Sequence, residues 1–121
     1  MSYKKLGFSF KYAYAGILHA LKYNPNLQIH FLVGAVVILL SLFLQVNPFE
    51  IGILGVMILL VISAEMINTS LEEMTDLITT EHRKEAKTAK DVAAGMVLVV
   101  ALGSVIVGSL ILVPYLLRFF K

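Results

Sequence analysis

Three long stretches of this sequence carry almost no charge, and they constrain its fold more than any other feature. They cover residues 29–46, 51–64 and 92–117, and contain only a few neutral polar side chains, one histidine and one proline. A helix needs about 20 mostly apolar residues to cross the hydrocarbon layer of a membrane. The helical pattern of the second stretch continues beyond residue 64. The sequence therefore predicts an all-α membrane protein with spans over residues 28–46, 50–78 and 88–117.

The composition supports a membrane environment and a single domain. Of 121 residues, 59% are hydrophobic and only 15% are charged. A chain this short has too little polar surface to cover so many apolar side chains in water. The sequence contains no cysteine, which excludes disulfides, thiolate metal sites and cysteine nucleophiles. We expect one membrane domain over residues 1–121.

The basic residues predict how the chain is oriented. Eight of the ten lie near the N-terminus or between residues 83 and 90, and the other two are Arg118 and Lys121. Because cytoplasmic loops of membrane proteins are enriched in Lys and Arg, the N-terminus should face the cytoplasm. We expect a multi-pass protein of the cell membrane.

Residues 3–23, before the first span, have the spacing of an amphipathic helix. At 100° per residue Leu6, Phe10 and Ile17 lie on one face, while Lys4 and Lys11 lie on another. Such a helix lies in the plane of the membrane surface. The alternative is that its apolar face packs on the spans.

The carboxylates are concentrated at one end of the second span. Seven of the eight lie between residues 65 and 91, and helical spacing aligns Glu65, Asn68, Glu72 and Asp76 along one side. A carboxylate within a membrane helix is costly unless it faces protein, water or a metal, so Glu65 is a functional candidate. For Asp76 and the neighbouring Glu73, a solvated helix end is an equally good interpretation.

A basic cluster at the start of the third span faces these acids. If spans two and three form an antiparallel hairpin, Lys90 and Asp91 lie next to the acidic end of span two. Lys87 and Asp91 have the spacing of an ordinary ion pair within a helix. Carboxylates, an amide and lysines together suit a magnesium nucleotide, although the sequence has no GxxxxGK[ST] or GxGxxG motif.

One longer motif connects these residues to a known family. Residues 65–76 read EMINTSLEEMTD, and Ala89-Lys90-Asp91 follows after a polar loop. This resembles the pattern E-x-[IL]-N-[TS]-[AS]-[IL]-E-x-x-x-D with a downstream A-K-D of the prokaryotic diacylglycerol kinases, a family that includes undecaprenol kinases. The resemblance implies a homotrimer of three-span chains with shared active sites. It also implies transfer of the ATP γ-phosphoryl group to a lipid alcohol with Mg²⁺.

The resemblance also assigns roles to single residues. It implies that Glu65 is the general base, that Asn68 helps to bind the lipid, and that Glu72 is a metal ligand. The nucleotide contacts that it implies are Tyr12, Glu72, Glu81, His82, Lys90 and Asp91. Membrane lipid and ATP are thus the expected partners, and we expect no nucleic acid.

The sequence departs from the family pattern at one metal ligand. The family has an E-x-N-x-x-x-H segment before the first span, and here Asn24 replaces the glutamate while Asn26 and His30 match. An amide oxygen can coordinate magnesium but brings no charge, so we expect Asn24 to be a weaker ligand. The alternatives are a catalytically impaired homologue, a noncatalytic scaffold and an ion or proton relay. The substrate stays open between undecaprenol and diacylglycerol, with the TS form of the motif favouring undecaprenol.

Overall fold

The structure is a computed structural model that describes residues 2–121 as four α-helices. In chain order they are α1 (Tyr3–Tyr23), α2 (Pro25–Phe43), α3 (Pro48–Ile78) and α4 (Lys84–Phe119). Helices α2, α3 and α4 are each long and apolar enough to cross a membrane. The predicted all-α class and the three apolar spans are therefore confirmed.

Helix α2 begins three residues before its predicted start and ends three residues before its predicted end. It begins early because the Asn24 Oδ1 accepts a hydrogen bond from the Leu27 backbone N–H at 3.2 Å, and Pro25 suits a first helical turn where its missing N–H is not needed. It ends early because Gln45 adopts a positive φ of 56°, and the Val46 N–H bonds back to the Ser41 carbonyl at 3.0 Å. This turn sets the position of α3.

Helices α3 and α4 form a long antiparallel pair. The Asn47 Oδ1 caps α3 by accepting from the Glu50 N–H at 2.8 Å, so this helix begins two residues before the predicted position 50. Helix α4 extends beyond the predicted span at both ends and continues through Pro114. The loop between the two helices is short, which keeps the end of α3 adjacent to the start of α4.

Helix α3 is the central element of the chain. It packs against both α2 and α4, while α1 packs against α2. Helices α2 and α3 approach closely at Gly34, where a Cβ would lie 2.8 Å from the Ile58 Cγ2. The buried apolar side chains are few, and they are Ala20, Leu27, Val46, Leu54, Val61, Ala64 and Ala93. The interior of one chain is therefore thin.

Helix α1 has the predicted bounds, but the spans of the same chain do not cover its apolar face. Leu6, Phe10 and Ile17 are all exposed, and Ala20 is the buried residue of this helix. Over Leu6, Phe10 and Ile17, the chain's own spans therefore do not cover this face, and α1 has its buried residue near its C-terminal end, at Ala20.

A polar cluster joins α3 and α4 at the end of the bundle opposite the carboxylates Glu65, Glu72 and Asp76. The Asn47 Nδ2 donates to the Glu50 Oε1 at 2.7 Å, and the Tyr115 hydroxyl donates to the same oxygen at 3.2 Å. The Arg118 guanidinium lies 5.0 Å from the centre of the Tyr115 ring. This cluster links the start of α3 to the end of α4.

Candidate functional site

Glu65 is a carboxylate enclosed by protein within the second span. Its residue is 3% exposed, and it lies on α3 beside the buried Ala64. The Glu65 Oε1 accepts a hydrogen bond from the Asn24 Nδ2 at 3.2 Å, and its Oε2 lies 3.9 Å from the His30 Nε2. Both neighbours are polar groups from the start of α2 or just before it. The carboxylate is thus removed from water and held by polar groups, as expected for a functional acid in a membrane helix.

Asn24 occupies the break between α1 and α2 and uses both ends of its amide. Its Nδ2 donates to the Thr69 Oγ1 at 2.6 Å as well as to Glu65, while its oxygen caps α2. The Thr69 hydroxyl in turn donates to the Glu65 backbone carbonyl at 3.0 Å. Asn24, Thr69 and Glu65 form one hydrogen-bonded group that joins two helices.

Asn68 lies one turn after Glu65 and has an unused acceptor. Its residue is 7% exposed, and the Nδ2 donates to the Glu72 Oε1 at 3.3 Å. Among the buried side-chain atoms of residues 2–121, the Asn68 Oδ1 is the one without a hydrogen-bond partner. Because buried polar atoms are normally paired, this oxygen marks a place for a ligand.

A cavity of about 250 Å³ joins these groups at the α1–α2 break. It brings together the predicted site residues Asn24, Glu65, Asn68 and Glu72. It also includes His19, whose ring lies 4.8 Å from that of Tyr23 on α1. His19 was not among the predicted site residues. It lies four residues before Tyr23, so both rings are on one face of α1.

A second cavity, of about 710 Å³, lies at the loop between α3 and α4. Four of the six predicted nucleotide contacts line it, namely Glu81, His82, Lys90 and Asp91. The Lys90 Nζ lies 2.5 Å from the Asp76 Oδ1, as the antiparallel hairpin predicts. Asp91 pairs instead with Lys87 at 2.5 Å.

Three basic residues that were not among the predicted site residues also line this second cavity, namely Arg83, Lys84 and Lys87. The sequence offered a signal for them, since all three belong to the charged segment that precedes Lys90. With Lys90 they place four cationic side chains around one cavity. Three of the four are paired with acids of the same cavity, Arg83 with Glu81, Lys87 with Asp91 and Lys90 with Asp76. A polyphosphate bound there would share or replace these carboxylate partners.

Two of the predicted nucleotide contacts do not line the second cavity. Glu72 lines the cavity at Glu65, one helical turn from Asp76. Tyr12 on α1 is 69% exposed, stacks on Phe8 with ring centres 6.3 Å apart, and lines neither of the two cavities. The described chain therefore does not bring Tyr12 together with the other predicted nucleotide contacts.

The donor atoms next to Glu65 suit a hard cation. The Glu72 carboxylate and the unpartnered Asn68 Oδ1 are oxygen donors on successive turns of α3, and Mg²⁺ prefers oxygen ligands. In residues 2–121 no three His, Cys, Asp or Glu side chains converge as a metal cage. A Mg²⁺ ion that keeps several waters or binds phosphate oxygens fits this partial set.

Comparison with known proteins gives a consistent result. The family model of prokaryotic diacylglycerol kinase matches residues 11–112. The chain is 40% identical to a diacylglycerol kinase of Synechocystis sp. over 110 residues, which is 90% of this chain but 63% of that protein, a little under two thirds of its length. It is 37% identical to an undecaprenol kinase of Bacillus subtilis over 108 residues, or 89% of this chain and 88% of that one.

Proposed function

Since the chain belongs to the prokaryotic diacylglycerol kinase family, we propose that it transfers the γ-phosphoryl group of ATP to the hydroxyl of a membrane lipid at the cytoplasmic face. The observation that carries this proposal is the Glu65 carboxylate, buried in a membrane helix and held by Asn24. A proton relay would continue the ionisable groups across the membrane. Here the aligned polar side chains of α3 run only from Glu65 to Asp76, which pairs with Lys90 at the start of α4. A noncatalytic scaffold would give no reason to bury the Glu65 carboxylate, which is costly within a membrane helix.

In the proposed reaction, Glu65 acts as general base. The lipid hydroxyl gives its proton to the Glu65 carboxylate while its oxygen attacks the γ-phosphorus in line. The bond between that phosphorus and the bridging oxygen of ADP breaks, and ADP leaves. The products are the lipid phosphate and ADP. Lys90 and its neighbouring cations offset the charge of the phosphates.

The residues of this chain that would bind the metal are Glu72 and Asn68. The Glu72 carboxylate and the Asn68 Oδ1 would hold Mg²⁺, which when bound neutralises charge on the phosphate oxygens. The two metal ligands expected from the sequence were Glu72 and Asn24, but the Asn24 oxygen caps α2 and its nitrogen faces Glu65.

Undecaprenol is the substrate that we propose of the two candidates. The segment from Asn26 to His30 resembles the undecaprenol kinase branch more than the diacylglycerol branch. The TS form of the core motif favours the same branch.

We further propose a homotrimer in the cell membrane with its N-terminus in the cytoplasm and active sites shared between chains. The thin interior and the uncovered face of α1 leave large apolar surfaces for lipid and for other copies. The excess of Lys and Arg on one side supports the orientation.

The test is transfer of labelled γ-phosphate from ATP in mixed micelles with Mg²⁺, offering undecaprenol and diacylglycerol separately. We expect undecaprenol to be phosphorylated, and Glu65→Gln to abolish transfer without changing the oligomeric state. Glu50→Gln makes the same chemical change at the opposite end of the bundle and should keep full activity. Failure of a folded protein to phosphorylate either lipid, or an active Glu65→Gln variant, would contradict the proposal.

A further inference from the structure

We propose that Asn24 is a positioning residue that holds the Glu65 carboxylate, a role different from that of the metal ligand it replaces. The inference rests on the proposed function, in which Glu65 is the base. The departure from the family pattern is then a change of role at this position and not a loss of catalysis.

The amide of Asn24 has one orientation that satisfies its surroundings. The Leu27 backbone N–H is a donor at 3.2 Å, so the group facing α2 must be the oxygen. The nitrogen then faces two acceptors, the Glu65 Oε1 at 3.2 Å and the Thr69 Oγ1 at 2.6 Å. The threonine hydroxyl can accept there because its own proton goes to the Glu65 backbone carbonyl. All three bonds agree on the same orientation.

A carboxylate at position 24 could perform only part of this task. Aspartate also caps helices well, so the cap of α2 would survive. However, a carboxylate has no N–H to donate to Glu65 or Thr69, and it would place a second negative charge beside a carboxylate that is 3% exposed. Holding Glu65 therefore requires the amide, whereas binding a metal would favour the acid.

The chain contains a matched control for this arrangement. Asn47 also caps a helix with its Oδ1 and donates from its Nδ2 to a carboxylate, Glu50, at 2.7 Å. That bond joins residues three apart at an exposed position, while the bond from Asn24 to Glu65 joins residues 41 apart at a part-buried one. Asn47→Asp thus repeats the substitution at the other end of the bundle.

The kinetic test is Asn24→Asp, measured at saturating lipid over ranges of ATP and Mg²⁺ concentration. We expect kcat to fall by about 10- to 100-fold, the effect of losing a hydrogen bond to a charged group. The KM for ATP and the Mg²⁺ concentration for half-maximal rate should stay within about twofold of wild type, since the lost bond is to Glu65. A higher kcat or a lower Mg²⁺ requirement would overturn the proposal and make position 24 a metal ligand.

Three further variants separate positioning from general destabilisation. Asn47→Asp should keep the wild-type kcat. Thr69→Val removes the second acceptor of the Asn24 amide and should lower kcat with no change in Mg²⁺ dependence, whereas Thr69→Ser keeps the hydroxyl and should restore the rate. Loss of activity in Asn47→Asp equal to that in Asn24→Asp would overturn the positioning role.

A spectroscopic test does not depend on kinase activity. In metal-free protein labelled with ¹⁵N-asparagine, the side-chain NH₂ signal of Asn24 is identified by its absence in Asn24→Asp. We expect this signal to shift in Glu65→Gln and to stay in place in Glu72→Gln. An Asn24 signal that does not shift in Glu65→Gln overturns the inference. If the signal shifts but the wild-type protein phosphorylates neither lipid, only the proposed function is overturned.

Discussion

Asn68 combines burial with an unsatisfied oxygen, which implies a conflict between stability and activity at this residue. Leaving a buried polar atom unpaired costs about 1–3 kcal/mol. Asn68→Leu should therefore raise the unfolding temperature in detergent, measured by circular dichroism, and lower turnover by about tenfold or more through loss of a substrate or metal contact. Ser41→Ala is the control, because the buried Ser41 hydroxyl already donates to the Val37 carbonyl at 2.7 Å. A lower unfolding temperature for Asn68→Leu would count against the conflict.

Lys90 should act on the nucleotide and hardly on stability. Its ion pair with Asp76 is partly exposed, and exposed ion pairs contribute little to stability because water and salt screen them. We expect Lys90→Gln to raise the KM for ATP by about tenfold, the scale of one charge-assisted contact to phosphate. Lys87→Gln removes the same charge from a more exposed pair and should have a smaller effect. Equal effects would mean that phosphates sense the charge of the loop and not a contact with Lys90.

At the scale of single residues, the sequence predicted which residues form the candidate site better than it predicted how their side chains are oriented. Glu65 and Asn68 were identifiable because an acid and an amide stand out in an apolar run. The direction of the Asn24 amide was not identifiable, since it depends on how the break between α1 and α2 meets a helix 41 residues away. For the same reason the sequence does not indicate that Thr69 contacts Asn24.

At the scale of helices, the chain shows how far hydropathy can locate an end. Four helices were predicted and four are present, and α1 has the predicted bounds. The start of α2 was missed because its first turn is polar, so capping by Asn24 and Pro25 determines it and hydropathy does not. Its end was missed because the apolar residues continue through a turn formed at Gln45.

The contact between α2 and α3 provides a test of packing. A Cβ at Gly34 would lie 2.8 Å from the Ile58 Cγ2, so Gly34→Ala should destabilise the protein by about 1–3 kcal/mol. Combining it with Ile58→Leu, which removes the branch at Cβ, should recover much of this loss. Gly16→Ala on the exposed α1 meets no atom within 4 Å and should stabilise by up to about 1 kcal/mol. Chemical unfolding in detergent measures all three, and a neutral Gly34→Ala would contradict the close approach.

At the scale of the whole molecule, the position of Tyr12 separates one-chain from shared active sites. It lines neither cavity in its own chain, so we predict that it contacts the nucleotide in a site shared with another copy. Alone, Tyr12→Ala should be weakly active and Glu65→Gln inactive. When the two variants are unfolded together and reassembled as mixed oligomers, we expect activity to return. Mixing each variant with itself is the control. No gain on mixing would place the whole site within one chain.

The thin interior has a consequence for how this protein can change over generations. Side chains such as Leu39, Val99 and Leu110 face outward, and hydrocarbon tails are as apolar as leucine itself. At positions that face lipid and not another copy of the chain, exchange for a different apolar residue should alter neither packing within the chain nor its affinity for the bilayer. Substitutions there should therefore be tolerated, whereas tolerance should be lower where side chains contact each other or the reactants.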